Sequence, residues 1–349
     1  MSGADPNGSG PAAVRVSGAD PERSHPAAVR VSGPDPDGSS PAAVRLEGVS
    51  VAFGGVMALE DVDLAVEAGD LAVLVGPSGS GKSTLLRCVN RLVDPVRGRV
   101  RVRGRDIAGM EPAALRRSIG YVIQSVGLFP HRTVAQNIAT VPRILGWPKA
   151  RVGERVAALL ALVRLEPELA GRRPAELSGG QAQRVGLARA LAADPDILLM
   201  DEPFGAVDPI VRRTLRTELR RIHAETGKTI LLVTHDPVEA LELATRLVVL
   251  REGRVVAAGR PVDLTDAAGD AFVRDLFGGD TMALHRLRFT PVSAVMEPGL
   301  VDAPAIAPDA TLREALARMI ALRVTRLSVA GAAGPVGSLA LDALVERHR

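Results

Sequence analysis

The chain has 349 residues, of which 46% are hydrophobic and 24% charged, so it is long enough for more than one domain with a buried core. Its 43 basic and 40 acidic residues leave a net charge of +3, and aromatic residues make up 2%, so we expect no nucleic-acid partner. No apolar run approaches the roughly 18 residues of a membrane-spanning helix, and no signal peptide is visible. The single cysteine, Cys88, permits no disulfide within the chain and fits a reducing compartment.

The first residues contain an internal repeat, in which SGADPNGSGPAAVR, SGADPERSHPAAVR and SGPDPDGSSPAAVR recur every 15 residues. The repeats are rich in Pro, Gly, Ser and Asp, and no Leu, Ile or aromatic residue precedes Leu46. Because such a segment cannot bury enough apolar surface to offset the entropy lost on ordering, it is not expected to fold. The sequence therefore predicts a disordered tail over residues 1–43.

A series of strand-like segments follows the tail. The segment AVRLEGVSVAFGG partly alternates apolar and polar residues before two glycines, which predicts a strand and a turn. From residue 71 onward, helical patterns alternate with the apolar segments LAVLV, IGYVIQ, ILLMD, TILLVT and LVVL, and REGRVV indicates a hairpin near the end. This alternation predicts an α/β domain with a largely parallel sheet over residues 44–278.

The segment GPSGSGKST, residues 76–84, follows the strand LAVLV and begins the helical pattern KSTLLRCVNRL. This is the P-loop pattern in its strand–loop–helix context. The glycines let backbone N–H groups surround phosphates, and the helix N-terminus adds partial positive charge. Lys82 is expected to reach the β- and γ-phosphates, and Ser83 to bind Mg²⁺. The predicted nucleotide-binding residues are Gly76, Pro77, Ser78, Gly79, Ser80, Gly81, Lys82, Ser83 and Thr84.

The segment ILLMDEP, residues 197–203, is an apolar run that ends in two acidic residues. It predicts a buried strand that delivers carboxylates to its C-terminal end, where α/β sheets bind ligands. Asp201 is expected to hold Mg²⁺, and Glu202 is the candidate general base that orients the attacking water. Together with the P-loop, this segment predicts a nucleoside triphosphate-binding protein.

The segment LSGGQAQRV, residues 177–185, places a serine and two glycines before a helical pattern, which is a second phosphate-binding arrangement. With it, residues 44–278 resemble the ATP-binding subunit of ABC transporters, because LSGGQ matches that family's signature and precedes the acidic strand. The resemblance implies ATP as the nucleotide and a dimer in which two copies face head to tail. Each copy would bind the ATP on its partner's P-loop with the signature residues Ser178, Gly179, Gly180 and Gln181.

Four further positions match this family. Gln124 in GYVIQ resembles the glutamine that contacts Mg²⁺ and water and senses the transmembrane partner. His235 in VTHD resembles the switch histidine at the γ-phosphate. Asp208 in GAVDP resembles an aspartate at the dimer interface, and Phe53 stands where the family places an aromatic residue that stacks on adenine. The catalytic residues implied are Glu202, His235 and Gln124. The Mg²⁺ ligands implied are Ser83, Gln124 and Asp201.

The segment SVGLFPHRTVAQNIATVPRILGWPK lies in the region with which this family contacts a permease. Together with DEPFGAVDPIVR, it resembles the ATPases of bacterial importers of osmoprotectants, namely glycine betaine, carnitine or choline. The resemblance implies transmembrane permease subunits, an extracytoplasmic solute-binding protein and a peripheral position on the cytoplasmic face of the membrane. An importer ATPase for another solute, such as an amino acid or a sulfonate, is an alternative. A non-transport ABC ATPase and a nucleotide sensor without turnover are further alternatives.

The pattern changes after about residue 278, where GGDTMALHRLRFTP indicates a linker over residues 279–290. The segment TLREALARMIAL predicts an amphipathic helix over residues 311–322 with a capping box between Thr311 and Glu314. Two short strands, RLSVAG and PVGSLA, and a terminal helix complete a small α+β domain over residues 291–349. The apolar face of the amphipathic helix is predicted to hold Leu312, Ala315, Leu316, Met319 and Ile320.

This small domain resembles a single CBS repeat, a module that osmoprotectant importer ATPases often carry at their C-terminus. Because CBS repeats normally act in pairs, a second copy of the chain would supply the other repeat. Ala340 stands where a Thr or Ser that contacts ribose or phosphate is expected, although Asp342 is present. We therefore expect no adenine-nucleotide site here. Dimerisation, sensing of ionic strength and a domain that has lost its function remain open.

Overall fold

The computed structural model describes residues 42–205, 207–266, 270–278, 286–332 and 334–346. The predicted disordered tail lies outside these residues except for Ala42 and Ala43, which are buried, and residues 279–285 of the predicted linker also lie outside them. Among the described helices, none is both long and apolar enough to cross a membrane. The strands and helices are β1 (Val44–Phe53), β2 (Val56–Val66), β3 (Leu71–Val75), α1 (Lys82–Val89), β4 (Arg97–Val102), β5 (Arg105–Asp106), α2 (Pro112–Ser118), β6 (Ile119–Val122), α3 (Val134–Ile138), α4 (Thr140–Ile144), α5 (Lys149–Leu162), α6 (Gly179–Leu191), β7 (Ile197–Asp201), α7 (Pro209–Thr226), β8 (Thr229–Val233), α8 (Pro237–Leu243), β9 (Arg246–Arg251), β10 (Arg254–Gly259), α9 (Pro261–Asp266), α10 (Ala271–Leu276), β11 (Ala305–Ile306), α11 (Leu312–Leu322), β12 (Arg326–Gly331), β13 (Gly334–Ala340) and α12 (Ala343–Glu346).

The central sheet has six strands in the order β10-β9-β3-β8-β7-β6. The strands from β9 to β6 are parallel, and β10 forms the predicted hairpin with β9 at one edge. Every residue of β3, β7 and β8 is buried, as expected for strands that are covered on both faces. The predicted α/β fold with a largely parallel sheet is confirmed.

The six-stranded sheet has a hydrophobic core on each face. Leu71, Val73 and Val75 of β3 pack on one face with side chains from α5, α6 and α7. Ala72 and Leu74 pack on the other face with side chains from β1, β2 and α1. This division follows from the alternation of side chains along a strand. The second face is covered by an antiparallel sheet in the order β2-β1-β4-β5, which the sequence patterns did not predict.

The C-terminal part of the described chain contains a three-stranded sheet in the order β11-β12-β13. Here β11 pairs parallel and β13 antiparallel with β12, and α11 packs on the sheet. The predicted capping box is present at the start of α11. The backbone N–H of Glu314 donates to Oγ1 of Thr311 at 3.2 Å, and that of Thr311 donates to Oε2 of Glu314 at 2.8 Å. Two donors that no intrahelical bond can satisfy are therefore paired locally.

The apolar face of α11 is narrower than the sequence predicts. Leu312, Ala315 and Met319 are buried, and Leu316 packs partly against the same core. The prediction was wrong for Ile320, which is 69% exposed. Successive helical residues lie about 100° apart, and a sheet of three strands covers only one strip of the helix. The residue after Met319 therefore points away from the sheet.

Met319 and Ile320 form a matched pair for testing this packing, because adjacent side chains are 2% and 69% exposed. We expect Met319→Ala to lower the free energy of unfolding of this part of the chain by about 2–5 kcal/mol, since it leaves a cavity in a packed core. Ile320→Ala should change it by less than about 0.5 kcal/mol. Urea unfolding followed by circular dichroism measures both, and equal effects of the two changes would contradict the packing.

Candidate functional site

The residues predicted to bind nucleotide come together at one edge of the six-stranded sheet. The P-loop follows the end of β3 at Val75, and β7 ends at Asp201. Gln124 lies two residues beyond β6, and His235 lies two residues beyond β8. Because these four strands are parallel, their carboxyl ends meet at the same edge, where α/β sheets bind ligands.

At two positions of the P-loop only glycine fits, because the backbone of another strand lies too close for a Cβ atom. A Cβ atom on Gly76, whose φ is 155°, would lie 2.1 Å from the carbonyl oxygen of Leu250 on β9. A Cβ atom on Gly81, whose φ is 97°, would lie 2.5 Å from the carbonyl oxygen of Ala58 on β2. Among the residues that the structure describes, no side chain caps the N-terminus of α1. The first N–H groups of this helix therefore remain directed at the loop, which is an anion-binding arrangement.

Lys82 is buried at the first position of α1 and points into the loop. Its ammonium group donates to the carbonyl oxygens of Gly76 at 2.8 Å and Pro77 at 2.7 Å. Burial lowers the pKa of Lys82, while the negative charges of Glu202 and Asp201 act in the opposite direction. A positive charge held away from water in this way interacts strongly with a phosphate group.

Ser83 and Asp201 are in direct contact across the end of the sheet. The hydroxyl of Ser83 donates to Oδ1 of Asp201 at 2.7 Å. Arg87, one helical turn after Ser83, lies 3.8 Å from Oδ2 of Asp201, a position that the sequence analysis did not single out. Within the described ranges, no group of three or more His, Cys, Asp or Glu residues is arranged to hold a metal.

Glu202 lies between two other predicted catalytic residues. The side-chain amide of Gln124 donates to its Oε2 at 3.1 Å, and Nδ1 of His235 lies 3.3 Å from the same oxygen. The φ of Glu202 is 45°, in the left-handed region that residues other than glycine seldom adopt. Such backbone strain is commonly found at functional sites. The fold thus brings the three residues to one point.

The signature residues lie at the start of α6, where they contact that helix and α7. Ser178 is exposed and caps α6, where its hydroxyl accepts from the N–H of Gln181 at 3.3 Å. Gly179 is exposed beside it. A Cβ atom on Gly180 would lie 2.7 Å from Cγ1 of Val211, so this glycine lets α6 pack closely on α7. In the part of the chain that the structure describes, the hydrogen bonds of the Ser178 side chain reach no P-loop residue.

Asp208 and Phe53 also lie apart from the residues at the sheet edge. Oδ1 of Asp208 accepts from the N–H groups of Ile210 at 3.1 Å and Val211 at 3.0 Å, which caps α7. Phe53 ends β1 with 53% of its surface exposed. An exposed aromatic side chain is free to stack on a planar group, and a local cap alone accounts for the position of Asp208.

One buried contact connects the signature helix to the turn that follows Glu202. The amide of Gln183 on α6 donates to the carbonyl oxygen of Pro203, which follows Glu202. The adjacent Arg184 forms an ion pair of 2.8 Å with the buried Glu218 of α7. Gln183 and Arg184 lie within LSGGQAQRV but are not predicted from it, because nothing in that pattern indicates which of its polar side chains are buried.

A buried acid lies on α8, the helix that begins two residues after His235. Glu239 is 3% exposed, and burial raises its pKa from the ordinary 4.5 to about 7, although a hydrogen bond with Thr234 acts in the opposite direction. The other charged groups that influence it are Asp236, Arg216 and Arg212. The sequence analysis did not identify Glu239, because a single glutamate on a short helix is usually exposed.

Comparison with known proteins gives consistent matches. The family model described as ABC transporter matches residues 59–205, a range that includes the P-loop, the LSGGQ segment and Glu202. The chain is 47% identical over 301 residues to the glycine betaine uptake system ATP-binding protein YehX of Escherichia coli (strain K12). This alignment covers 85% of this chain and 98% of that relative. It is 43% identical over 276 residues to the glycine betaine/carnitine/choline transport ATP-binding protein OpuCA of Bacillus subtilis (strain 168), which covers 79% of this chain and 72% of that relative. Among solved structures, a dimeric structure of a post-hydrolysis state of the ATP-binding cassette MJ0796 bound to ADP and Pi is similar, with a TM-score of 0.56 and 33% identity over 62% of this chain and 98% of that chain.

Glu239 makes the stability of the fold depend on pH. Its pKa is raised on folding, so the folded protein binds this proton more tightly, and stability falls as the pH rises from about 4.5 through 7. Glu239→Gln mimics the protonated acid. We expect the stability of Glu239→Gln relative to wild type to increase between pH 5 and pH 8 by on the order of 3 kcal/mol.

Urea unfolding of both proteins at the two pH values measures this change. Glu252→Gln serves as the control, because Glu252 is exposed in the turn between β9 and β10. The difference in free energy of unfolding between Glu252→Gln and wild type should be the same at both pH values. A pH-independent difference for Glu239→Gln would show that Glu239 is already ionised in the folded protein at pH 5.

Proposed function

Because this chain belongs to the ABC transporter family of ATP-binding proteins, we propose that it is the ATP-hydrolysing subunit of a bacterial importer for quaternary-amine osmoprotectants such as glycine betaine, carnitine or choline. The observation that carries the ATPase activity is the convergence of Gln124 and His235 on Glu202 beside the P-loop. The solute class rests on the similarity to the glycine betaine uptake protein, which extends over 98% of that relative.

The sheet-edge residues supply the groups that ATP hydrolysis needs. The amides of the P-loop and Lys82 bind the phosphates of ATP. Glu202 accepts a proton from the water that attacks the γ-phosphorus, and the bond to the β-phosphate oxygen breaks to give ADP and phosphate. His235 and Gln124, which contact the same carboxylate, position it and the γ-phosphate. The two P-loop glycines in backbone contact keep the loop in one shape, so little reorganisation is required when ATP binds.

Mg²⁺ fits the oxygen-rich contact between Ser83 and Asp201. A hydroxyl and a carboxylate that lie 2.7 Å apart at the mouth of the P-loop are ligands that this ion prefers, and the side-chain oxygen of Gln124 would be a third. When bound, Mg²⁺ would neutralise negative charge on the phosphates. Arg87 lies 3.8 Å from Oδ2 of Asp201, the carboxylate oxygen that Ser83 does not contact.

The signature residues would act on a second copy of the chain. Ser178 and Gly179 are exposed at the N-terminus of α6, and the Ser178 hydroxyl makes no hydrogen bond to the P-loop among the described residues of its own chain. We therefore infer a head-to-tail dimer in which this helix N-terminus covers the γ-phosphate bound by the partner, with Asp208 at the interface and Phe53 on the adenine. The dimeric ATP-binding cassette MJ0796 is a solved precedent in a similar fold.

The permease would dock beside Gln124. The region between β6 and α5 exposes Phe129, Ile144 and Leu145, which are apolar side chains suited to a protein contact. Attachment to the permease would place this chain at the cytoplasmic face of the membrane, and the permease would connect it to an extracytoplasmic solute-binding protein.

We propose that the chain consists of two domains joined by a linker. Residues 44–278 form the ATPase domain, residues 279–290 a linker and residues 291–349 a single CBS-like domain. The order of elements in the last segment, β11, α11, β12, β13 and α12, supports this assignment. Among the described residues, the buried side chains of this small hydrophobic core run from Leu287, at the end of the proposed linker, to Leu344, which supports a separate folding unit.

Glu202→Gln should abolish turnover but preserve ATP binding. The amide keeps the size of the side chain and its contacts with Gln124 and His235 but cannot accept the proton. We expect the hydrolysis rate to fall by a factor of about 10²–10⁴. We also expect ATP to convert the variant into a stable dimer, measured by light scattering after size-exclusion chromatography.

Glu168→Gln is the matched control, because Glu168 is exposed and lies in the turn after α5. Its hydrolysis rate should equal that of wild type. A Glu202→Gln protein that hydrolyses ATP at the wild-type rate would exclude Glu202 as the base.

The solute is tested by uptake in a bacterial host that lacks its own betaine importers and carries this chain with its permease and binding protein. We expect uptake of labelled glycine betaine with wild type and none with Glu202→Gln. In separate assays, labelled sulfate and a labelled neutral amino acid should not be taken up. If ATP hydrolysis is intact but only one of these other solutes is taken up, the osmoprotectant assignment is wrong while the ATPase assignment stands.

A further inference from the structure

An arginine-lined cleft separates the six-stranded sheet unit from the C-terminal sheet unit. Its volume is about 490 Å³, within the range of small-molecule sites. Helices α7, α8 and α11 line it together with the segment that precedes α11. The acidic residues in its lining are Glu242 and Glu314, and the arginines are Arg213, Arg216, Arg220, Arg288 and Arg313. Five guanidinium groups against two carboxylates leave this cleft strongly positive.

The arginines come from three separate elements that face the same space. Arg213, Arg216 and Arg220 recur at the spacing of one helical face along α7. Arg288 belongs to the segment before α11, and Arg313 to the first turn of α11. Convergence of three elements makes this a concave site with arginines on opposite walls rather than a charged stripe on one helix.

Most of this positive charge is not neutralised by the protein. Oε2 of Glu242 lies 3.3 Å from Arg216, and its other oxygen accepts from Arg288, so two guanidinium groups share one carboxylate. Nε of Arg216 and Nη1 of Arg288 are buried without a hydrogen-bond partner among the described residues. Arg213 and Arg220 are exposed and form no ion pair in the described part of the chain. The guanidinium groups of Arg213 and Arg220 are therefore available to a bound anion.

We propose that this cleft binds a small anion that carries phosphate groups. Arginine forms two parallel hydrogen bonds to phosphate oxygens, and several arginines at one site suit an anion with more than one negative charge. Leu241, Phe289 and Ala317 add apolar surface to the wall, which would receive a non-polar part of such a molecule. The lining shares no residue with the P-loop or with the residues that surround Glu202, so the site is separate from the ATP site.

The anion would also change a connection between the two units. Glu242 lies on α8, which begins just after His235, and its bond to Arg288 ties this helix to the C-terminal segment. That segment is in turn bonded to α11, because the N–H of Arg313 donates to the carbonyl oxygen of Leu287 at 2.8 Å. A phosphate that binds Arg216 and Arg288 would break their ion pairs with Glu242. Occupancy of the cleft would therefore change the contacts of α8, the helix that follows His235.

Inorganic pyrophosphate is the probe for this site, measured by isothermal titration calorimetry without Mg²⁺. The full-length chain carries Lys82→Ala so that phosphate binding at the P-loop is weakened. We expect saturable binding of one pyrophosphate per chain, with an affinity that falls as salt is added. Arg288→Gln and Arg220→Gln should each weaken it by about tenfold or more, because each removes a charge-assisted hydrogen bond.

Glu242→Gln distinguishes binding from a structural role. It removes the carboxylate that competes for Arg216 and Arg288, so we expect pyrophosphate to bind several-fold more tightly, whereas damage to the cleft would weaken binding. Arg99→Gln is the matched control, because Arg99 is exposed on β4 in the antiparallel sheet. It should leave the affinity unchanged, and thermal unfolding confirms that each variant is folded.

The proposal is overturned if the Lys82→Ala chain binds no pyrophosphate, or if Arg99→Gln weakens binding as much as Arg288→Gln does. It is also overturned if Glu242→Gln weakens binding while the protein remains folded. Because the measurement involves neither transport nor hydrolysis, its result is independent of the osmoprotectant assignment.

Discussion

The parallel pairing of β3, β8, β7 and β6 is the constraint on which the rest of this structure depends. Parallel strands must be joined by crossovers, and here helices α5, α6 and α7 cover one face of the sheet while the antiparallel sheet and α1 cover the other. Apolar side chains therefore fill the strands, and the first polar residues of each segment appear where the strand ends. The P-loop, Asp201 and Glu202, Gln124 and His235 meet for this reason, although more than 150 residues separate the first from the last. The arrangement turns four sequence-distant loops into one site.

The site combines rigid backbone with side chains that are in mutual contact. Gly76 and Gly81 allow the P-loop to touch β9 and β2, so two different sheets hold the loop in place. On the other side, Glu202 adopts a left-handed backbone conformation and receives contacts from two neighbouring loops. A movement of either loop would be transmitted to this carboxylate. This coupling gives a physical route by which contacts outside the site reach the proposed general base.

Helices α6, α7 and α8 extend that route through polar contacts that are buried or partly buried. Gln183 connects the signature helix to the turn after Glu202, and Glu239 lies in the interior of the helix behind His235. Glu242 then connects α8 to Arg288 before the C-terminal sheet. Buried polar groups are costly unless each has a partner, so such contacts hold neighbouring elements in defined positions. Polar contacts thus connect the turn after Glu202 with the signature helix, and α8 with the segment that precedes the C-terminal sheet.

The sequence by itself determined the features that depend on neighbouring residues. The P-loop, the apolar strands with their terminal acids, the capping box at Thr311 and the hairpin of β9 and β10 are local patterns, and each was predicted correctly. Only the tertiary structure decided which of several polar or apolar residues faces a partner. The helical period groups Ile320 with its apolar neighbours, but the width of the sheet beneath α11 leaves it exposed. The contacts of Arg87 with Asp201, Gln183 with Pro203 and Arg288 with Glu242 join distant elements, because burial and proximity arise only when the sheets and helices are packed together.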